Sequence, residues 1–358
     1  MPQPEMWDLL FKRDDPAVHE VRAVADAPLR AGEVRLAVER FALTSNNVTY
    51  ARLGDSPLRF WAAFPAPPGY GRVPVWGFAR VVRSRHPSIG EGSRCFGYLP
   101  MSTHLTVAAE PTTRGFADTS AHRLGMHPWY RHYRIAGEPE EADDHRALLR
   151  PVYPASFQLA ELALRQAAAG ARSVVITSAS SKTAIGLADR LLGSGIATIG
   201  LTSARNESFV RGLGRYHAVA EYRALDSLIV AGPILVVDFT RDTTLLSSIY
   251  RRFAGELTDT ALVGLTRGAR GFEAPDPPEL HDPEPTRFFA PAAEERAVAA
   301  EGEVGYYARY DRAEDDFVTA ASAWLGVRRG SGPEPVVEAF LALLSGRQRP
   351  EVGHVLSP

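Results

Sequence analysis

The chain is nearly without cysteine and lysine. Its 358 residues include one cysteine, Cys95. That excludes an internal disulfide framework and any cysteine-rich zinc site. Only Lys12 and Lys182 contribute lysine to the 40 basic residues, the rest being arginine. Codon usage in a GC-rich genome accounts for this bias, but the scarcity excludes mechanisms built on a lysine: no Tyr-x-x-x-Lys pair exists, so short-chain reductase chemistry is ruled out. Net charge is also scarce, at −2 with a pI near 6.6, which argues against nucleic-acid and acidic-membrane partners. No apolar run approaches the roughly 20 residues that span a bilayer, and the start, MPQPEMWDLLFKRDD, lacks a signal-peptide core. The expectation is a soluble cytoplasmic protein of about two domains.

Residues 1–110 read as short strands between Gly/Pro turns, the pattern of a small barrel or sandwich. EVRLAVERFAL (33–43) alternates as a half-buried strand, and VWGFARVVRS (75–84) does so more loosely. Residues 110–150 have no clean period and read as an excursion or lid. From 173 onward apolar strands alternate with amphipathic helices: SVVITSA (173–179), KTAIGLADRLLGS (182–194), IATIGLTS (196–203), PILVVDFT (233–240) and TALVGLT (260–266). That alternation predicts a parallel, doubly wound sheet. EAPDPPELHDPEP reads as a linker. The predicted plan is a barrel domain over 1–150, with a lid-like insertion at 110–150. A dinucleotide-type α/β domain follows over 151–285, and residues 286–358 return to the barrel.

The most informative stretch is the strand–loop–helix SVVITSASSKTAIGLA. Small residues let backbone approach a phosphate, and a helix N-terminus offers unpaired N–H groups. Ser178, Ser180, Ser181 and Thr183 add hydroxyls, and Lys182 adds a charge; an ordinary Ser-capped helix would look the same. Two chemistries compete. Dinucleotide binding would have Ser178, Ser180 or Ser181, and Ala184 in place of the G-x-G-x-x-G glycines. A triphosphate loop is imitated by ITSASSKT, with ILVVD as its magnesium strand. Ile176 and Ser181 replace both triphosphate-loop glycines, and a β-branched Ile obstructs that turn, so the dinucleotide reading tolerates its substitutions better. About 20 residues past the loop, Ser203 and Arg205 stand where an NAD-binding chain carries an acid. A hydroxyl and a guanidinium suit a 2′-phosphate, hence NADP(H); a polar surface turn is the plainer alternative.

These motifs, taken in order, resemble the zinc-independent medium-chain dehydrogenase/reductase superfamily, in its quinone and enoyl reductase branch. TSNNVTYARLG, VPVWGFARVVRS, GEGSRCFGYLP, the Leu213-Gly214…Tyr222 spacing, VVDFTRD and LVGLT carry the likeness. More narrowly, LLRPVYPASFQLAEL with SASSKTAIGLA is similar to a bacterial family of unknown function. The resemblance implies a GroES-like β-barrel plus a Rossmann sheet, and metal-free NADPH-dependent hydride transfer to an activated C=C or carbonyl of a small molecule. It also implies Asn47 and Tyr50 as catalytic groups on the substrate oxygen. Tyr222, Thr240 and Thr266 would be further cofactor contacts, and a homodimer is the common assembly. Trp76-Gly77-Phe78 departs from the zinc-binding neighbourhood. A scaffold that has lost chemistry and serves in binding or assembly is the competing reading. Four histidines, His122, His127, His132 and His145, lack the spacing of a helical metal site. Tyr130 and Tyr133 either line a substrate pocket or pack in the core.

Overall fold

The computed structural model describes residues 6–56, 58–264 and 283–358, which divide into two compact units. The first holds residues up to Leu148 together with Leu325–Pro358; the second spans Leu149–Trp324.

In the first unit β1 (Trp7–Lys12) and β2 (His19–Ala23) form an antiparallel hairpin. The alternating stretch at 33–43 is strand β3 (Glu33–Leu43), followed by helix α1 (Ser45–Arg52). Next come β4 (Tyr70–Gly71), β5 (Pro74–Ser84), β6 (Arg94–Pro100), β7 (His104–Thr112), β8 (Gly115–Asp118) and β9 (His132–Ile135). The order β3-β5-β6-β9-β8-β7 closes where β7 pairs back with β3, giving a six-stranded barrel among the described residues. Closure leaves no edge in that ring. Helix α2 (Asp143–Leu149) ends this part.

The lid expected over 110–150 is not there: most of its first half is barrel wall. Strands β8 and β9 are four residues each, too short to show a period. Phe116 and Tyr133 stack at 5.1 Å, both fully buried. Gly97 makes room for Tyr133, since a Cβ there would lie 2.4 Å from the ring. Arg123, also fully buried, donates to Asp118 at 3.0 Å and to the Tyr133 hydroxyl at 2.8 Å, and bonds the Tyr130 carbonyl. That buried ion pair pins the His- and aromatic-rich segment to the barrel.

In the second unit, α3 (Tyr153–Ala168) leads into β10 (Ser173–Ile176), α4 (Lys182–Arg190), β11 (Ala197–Thr202), α5 (Glu207–Gly212) and β12 (Ala218–Glu221). Then follow β13 (Ile234–Asp238), α6 (Thr243–Arg252), β14 (Leu257–Val263) and β15 (Thr286–Phe288). The sheet order is β12-β11-β10-β13-β14-β15, every pair parallel. This is the doubly wound order, in which ligands bind beyond the carboxyl ends of strands where the winding reverses. The core strands β10 and β13 are buried along their whole length, as a sheet covered on both faces requires.

Helices α7 (Ala290–Glu301) and α8 (Glu303–Ala321) complete this unit. The return to the barrel therefore starts at Leu325 rather than 286. Strand β15 extends the parallel sheet, and the α8 rings of Tyr306, Tyr310 and Phe317 pack against Tyr153 and Phe157 of α3. The aromatic stretch GYYARYDRA is core. Strand β16 (Gly326–Ser331), helix α9 (Pro333–Leu344) and β17 (Val352–Ser357) then append two strands to the barrel sheet through β3. The linker EAPDPPELHDPEP falls largely outside the described residues.

Candidate nucleotide site and its neighbours

Strand β10 stops at Ile176, and five residues carry the chain to Lys182, the first residue of α4. Each of those five is anchored. The Thr177 hydroxyl donates to Asp238 at 2.7 Å and accepts from the Phe239 N–H. Ser178 adopts φ 48, a left-handed conformation that favours glycine. Its N–H donates to the Tyr222 hydroxyl at 3.0 Å. Ala179 donates to the Leu201 carbonyl and accepts from the Tyr216 hydroxyl at 2.8 Å. The Ser180 hydroxyl accepts from Asn206 at 2.9 Å. Ser181 caps α4, its hydroxyl accepting from the Ala184 N–H.

Glycines set the packing around this loop. Gly200 on β11 leaves space for Tyr216, since a Cβ would meet that ring and Ala179 at 2.9 Å. Gly186 lets α4 approach α3, a Cβ there falling 2.7 Å from the Ser156 hydroxyl. That hydroxyl in turn donates to the Thr183 carbonyl at 2.8 Å.

Two donors are left over. Among the described residues, the backbone N–H groups of Ser180 and Thr183 meet no protein acceptor. The first N–H groups of a helix have no partner inside it, and with the positive end of the helix they favour an anion. Ser203 and Arg205 lie just past β11, in the 3₁₀ turn that also supplies Asn206; Arg205 is exposed. Lys182 is partly buried at the helix start.

The other expected cofactor contacts are placed differently. Tyr222 spends its hydroxyl on the loop backbone, and burial raises its pKa. The Thr240 hydroxyl donates to Asp238 at 2.8 Å and accepts from the Asp242 N–H, so it serves its own turn. Thr266 lies outside the described residues. Sequence reasoning missed Thr177, Tyr216, Asn206 and Asp238. Asp238 carried a signal, as the acid ending ILVVD, but it points to a different job. Its carboxylate is fully buried and accepts from Thr177, from the Thr240 N–H and hydroxyl, and from the Arg241 N–H.

In the first unit, Asn47 is spent as well. It closes a capping box on α1, its Oδ1 accepting from the Thr44 N–H at 2.7 Å and its Nδ2 donating to the Pro74 carbonyl at 2.8 Å. With 2% exposure, its amide is buried and holds α1 to β5 through one of its two Nδ2 hydrogens. Tyr50 differs. Its hydroxyl accepts from Trp76 Nε1 at 3.3 Å, and burial pushes its pKa up to about 12. Phe60 and Tyr98 flank its ring, while Trp129 and Tyr130 pack on Trp76. The Tyr98 hydroxyl is buried without a hydrogen-bond partner among the described residues. Tyr130 joins this aromatic cluster, whereas Tyr133 donates to the Tyr98 carbonyl and is core.

His132 bonds Thr112 and His145 bonds the Leu325 carbonyl. Among the described residues no three His, Cys, Asp or Glu side chains converge as a metal ion would require. No helix among them is long and apolar enough to cross a membrane.

Solved structures share this architecture. CurA of Vibrio vulnificus, in complex with NADPH, matches at 12% identity and TM-score 0.58, over 95% of this chain and 94% of that one. The JamJ enoyl reductase matches at 11% identity and TM-score 0.62, over 99% of both chains. The quinone oxidoreductase of Thermus thermophilus matches at 16% identity and TM-score 0.56, over 99% of this chain and 100% of that one. At such identities the likeness establishes the fold: a GroES-like barrel with a Rossmann sheet. No curated protein matches the sequence. Residues 41–349 match the family described as a protein of unknown function, DUF2855, and the chain belongs to that family.

Proposed function

We propose that this protein is an NADPH-dependent, metal-free oxidoreductase acting on a small activated alkene or carbonyl compound, such as an enone or a quinone. One observation carries the reading. In a loop anchored to protein at every residue, the N–H groups of Ser180 and Thr183 meet no acceptor among the described residues at the start of α4, a position that favours a pyrophosphate. Lys182 adds charge there. Ser203 and Arg205 offer a hydroxyl and a guanidinium to a 2′-phosphate, with no acid at the end of β11 to select a bare ribose. Neighbours of the same fold are described with NADPH bound, which supports the same cofactor here.

Bound NADPH supplies a hydride from its nicotinamide. This chain's part is to hold it and manage the proton. Tyr216, Tyr222 and Asp238 fix the loop, so little reorganisation accompanies binding. Tyr50, with its pKa pushed up to about 12 by burial, keeps its proton throughout the neutral range and is the candidate donor. Polarisation by hydrogen bonds replaces a Lewis acid.

The triphosphate reading is weakened by the same geometry. The Asp238 carboxylate, which would have to hold magnesium, is saturated by four donors.

Fluorescence titration with NADPH, NADH and ATP tests the assignment. NADPH is expected to bind at least about tenfold tighter than NADH, with Arg205→Ala removing most of that preference, on the order of 1.5–3 kcal/mol. Tight ATP binding without an NADPH response overturns it. NADPH binding without oxidation by a panel of enones, quinones and aldehydes favours a scaffold that no longer turns over, consistent with an Asn47 amide committed to capping.

A further inference from the structure

The 3₁₀ turn Tyr222–Ser227 and helix α6 enclose a cleft of about 480 Å³, within the roughly 300–1,000 Å³ of small-ligand sites. Its walls carry Tyr222, Arg223, Asp226, Ser248, Arg251 and Arg252. Three guanidiniums thus face one carboxylate, and none of the four forms an ion pair among the described residues. Elsewhere in this unit Arg150 pairs with Glu314, Arg215 with Asp189, and Arg309 with Glu161 and Glu301, whereas Arg165, Arg172 and Arg205 form no ion pair among the described residues. What sets the cleft apart is that three such arginines line one concavity.

Two of the three arginines are held in place. Arg252 donates to the Leu228 carbonyl and lies over the Phe253 ring at 5.0 Å. Its Nε is buried, which leaves the outer N–H groups of the fork as the ones able to reach the cleft. Arg251 donates to the Ser248 hydroxyl at 3.3 Å, which leaves other N–H groups of its fork open. Guanidinium forks bind tetrahedral oxyanions through paired N–H···O contacts, and a surplus of two positive charges matches a dianion. We propose that this cleft binds a small phosphate-bearing metabolite at a site separate from the nucleotide loop. The cleft has room for a ligand larger than phosphate itself, with Tyr222 on its wall.

Inorganic pyrophosphate, titrated calorimetrically into the whole protein in chloride buffer, is the probe. The expected result is saturable binding that survives Lys182→Ala and weakens at least tenfold in R223Q/R251Q. Both substituted arginines are exposed, so the double variant should keep the wild-type melting temperature; R223Q alone, with a smaller loss, covers the case where it does not. The proposal fails if no saturable heat appears, or if binding is lost in Lys182→Ala and kept in R223Q/R251Q. It also fails if R223Q/R251Q loses NADPH affinity in parallel, because the cleft would then belong to the cofactor site. The pyrophosphate isotherm needs no NADPH, so it can succeed even where the cofactor assignment fails.

Discussion

Replacing Asp238 by asparagine tests whether one buried carboxylate holds the end of β13 against the loop after β10. The wild-type oxygens accept at 2.7 Å from Thr177, 3.2 and 2.8 Å from Thr240, and 2.6 Å from the Arg241 N–H. The first three converge on Oδ1 and the last on Oδ2. An asparagine keeps its carbonyl on the three-donor side and must set its NH₂ against the Arg241 N–H. One charge-assisted bond, worth about 1.5–3 kcal/mol, is then lost and a buried donor is left opposing a donor. The other three weaken as the acceptor becomes neutral. Relief from burying a charge offsets part of this, but four donors already solvate that charge. The net expectation is a loss of about 2–4 kcal/mol, read as a lower urea midpoint in circular dichroism. A loss under about 0.5 kcal/mol would refute the view of Asp238 as the clasp of this loop.

Lys182→Ala should weaken NADPH binding by about 1.5–3 kcal/mol through loss of a charge-assisted contact; an unchanged dissociation constant returns this lysine to the surface. Gly186→Ala forces a methyl to within 2.7 Å of the Ser156 hydroxyl and 3.3 Å of Phe317, an overpacking cost of about 1–3 kcal/mol measurable as a lower melting temperature. Tyr50 ionises near pH 10 when unfolded and near 12 when folded. Between those values the unfolded chain holds fewer protons, so stability present below pH 10 declines as pH rises, by up to about 3 kcal/mol. Tyr50→Phe should decline less steeply above pH 10 in denaturant titrations, and equal slopes would contradict the burial argument.

The sequence alone determined the elements whose signal is local. The stretch at 33–43 is strand β3, its alternation visible in the middle while both faces are buried at 34–36 and 41–43, and the apolar runs SVVI and ILVVD are strands buried on both faces. Periodicity reports burial within a single element, so the doubly wound sheet and the strand–loop–helix unit of β10 and α4 were legible. Tertiary structure decided what depends on partners distant in sequence. Strands β8 and β9 are four residues long and acquire meaning only by closing the barrel against β6 and β7. Helices α7 and α8 belong with the parallel sheet because the α8 tyrosines Tyr306 and Tyr310 meet α3, and Tyr307 of α8 donates to Glu294 of α7. Side-chain commitments follow the same rule. Asn47 reads in the chain as a substrate contact, and in space its amide also bonds Thr44 and Pro74, while the Thr240 hydroxyl bonds Asp238. Tyr216, 37 residues from Ala179, holds the loop through a contact no spacing encodes. A residue's type is written in the chain, but whether its hydrogen bonds remain open for a ligand is settled by its neighbours in space.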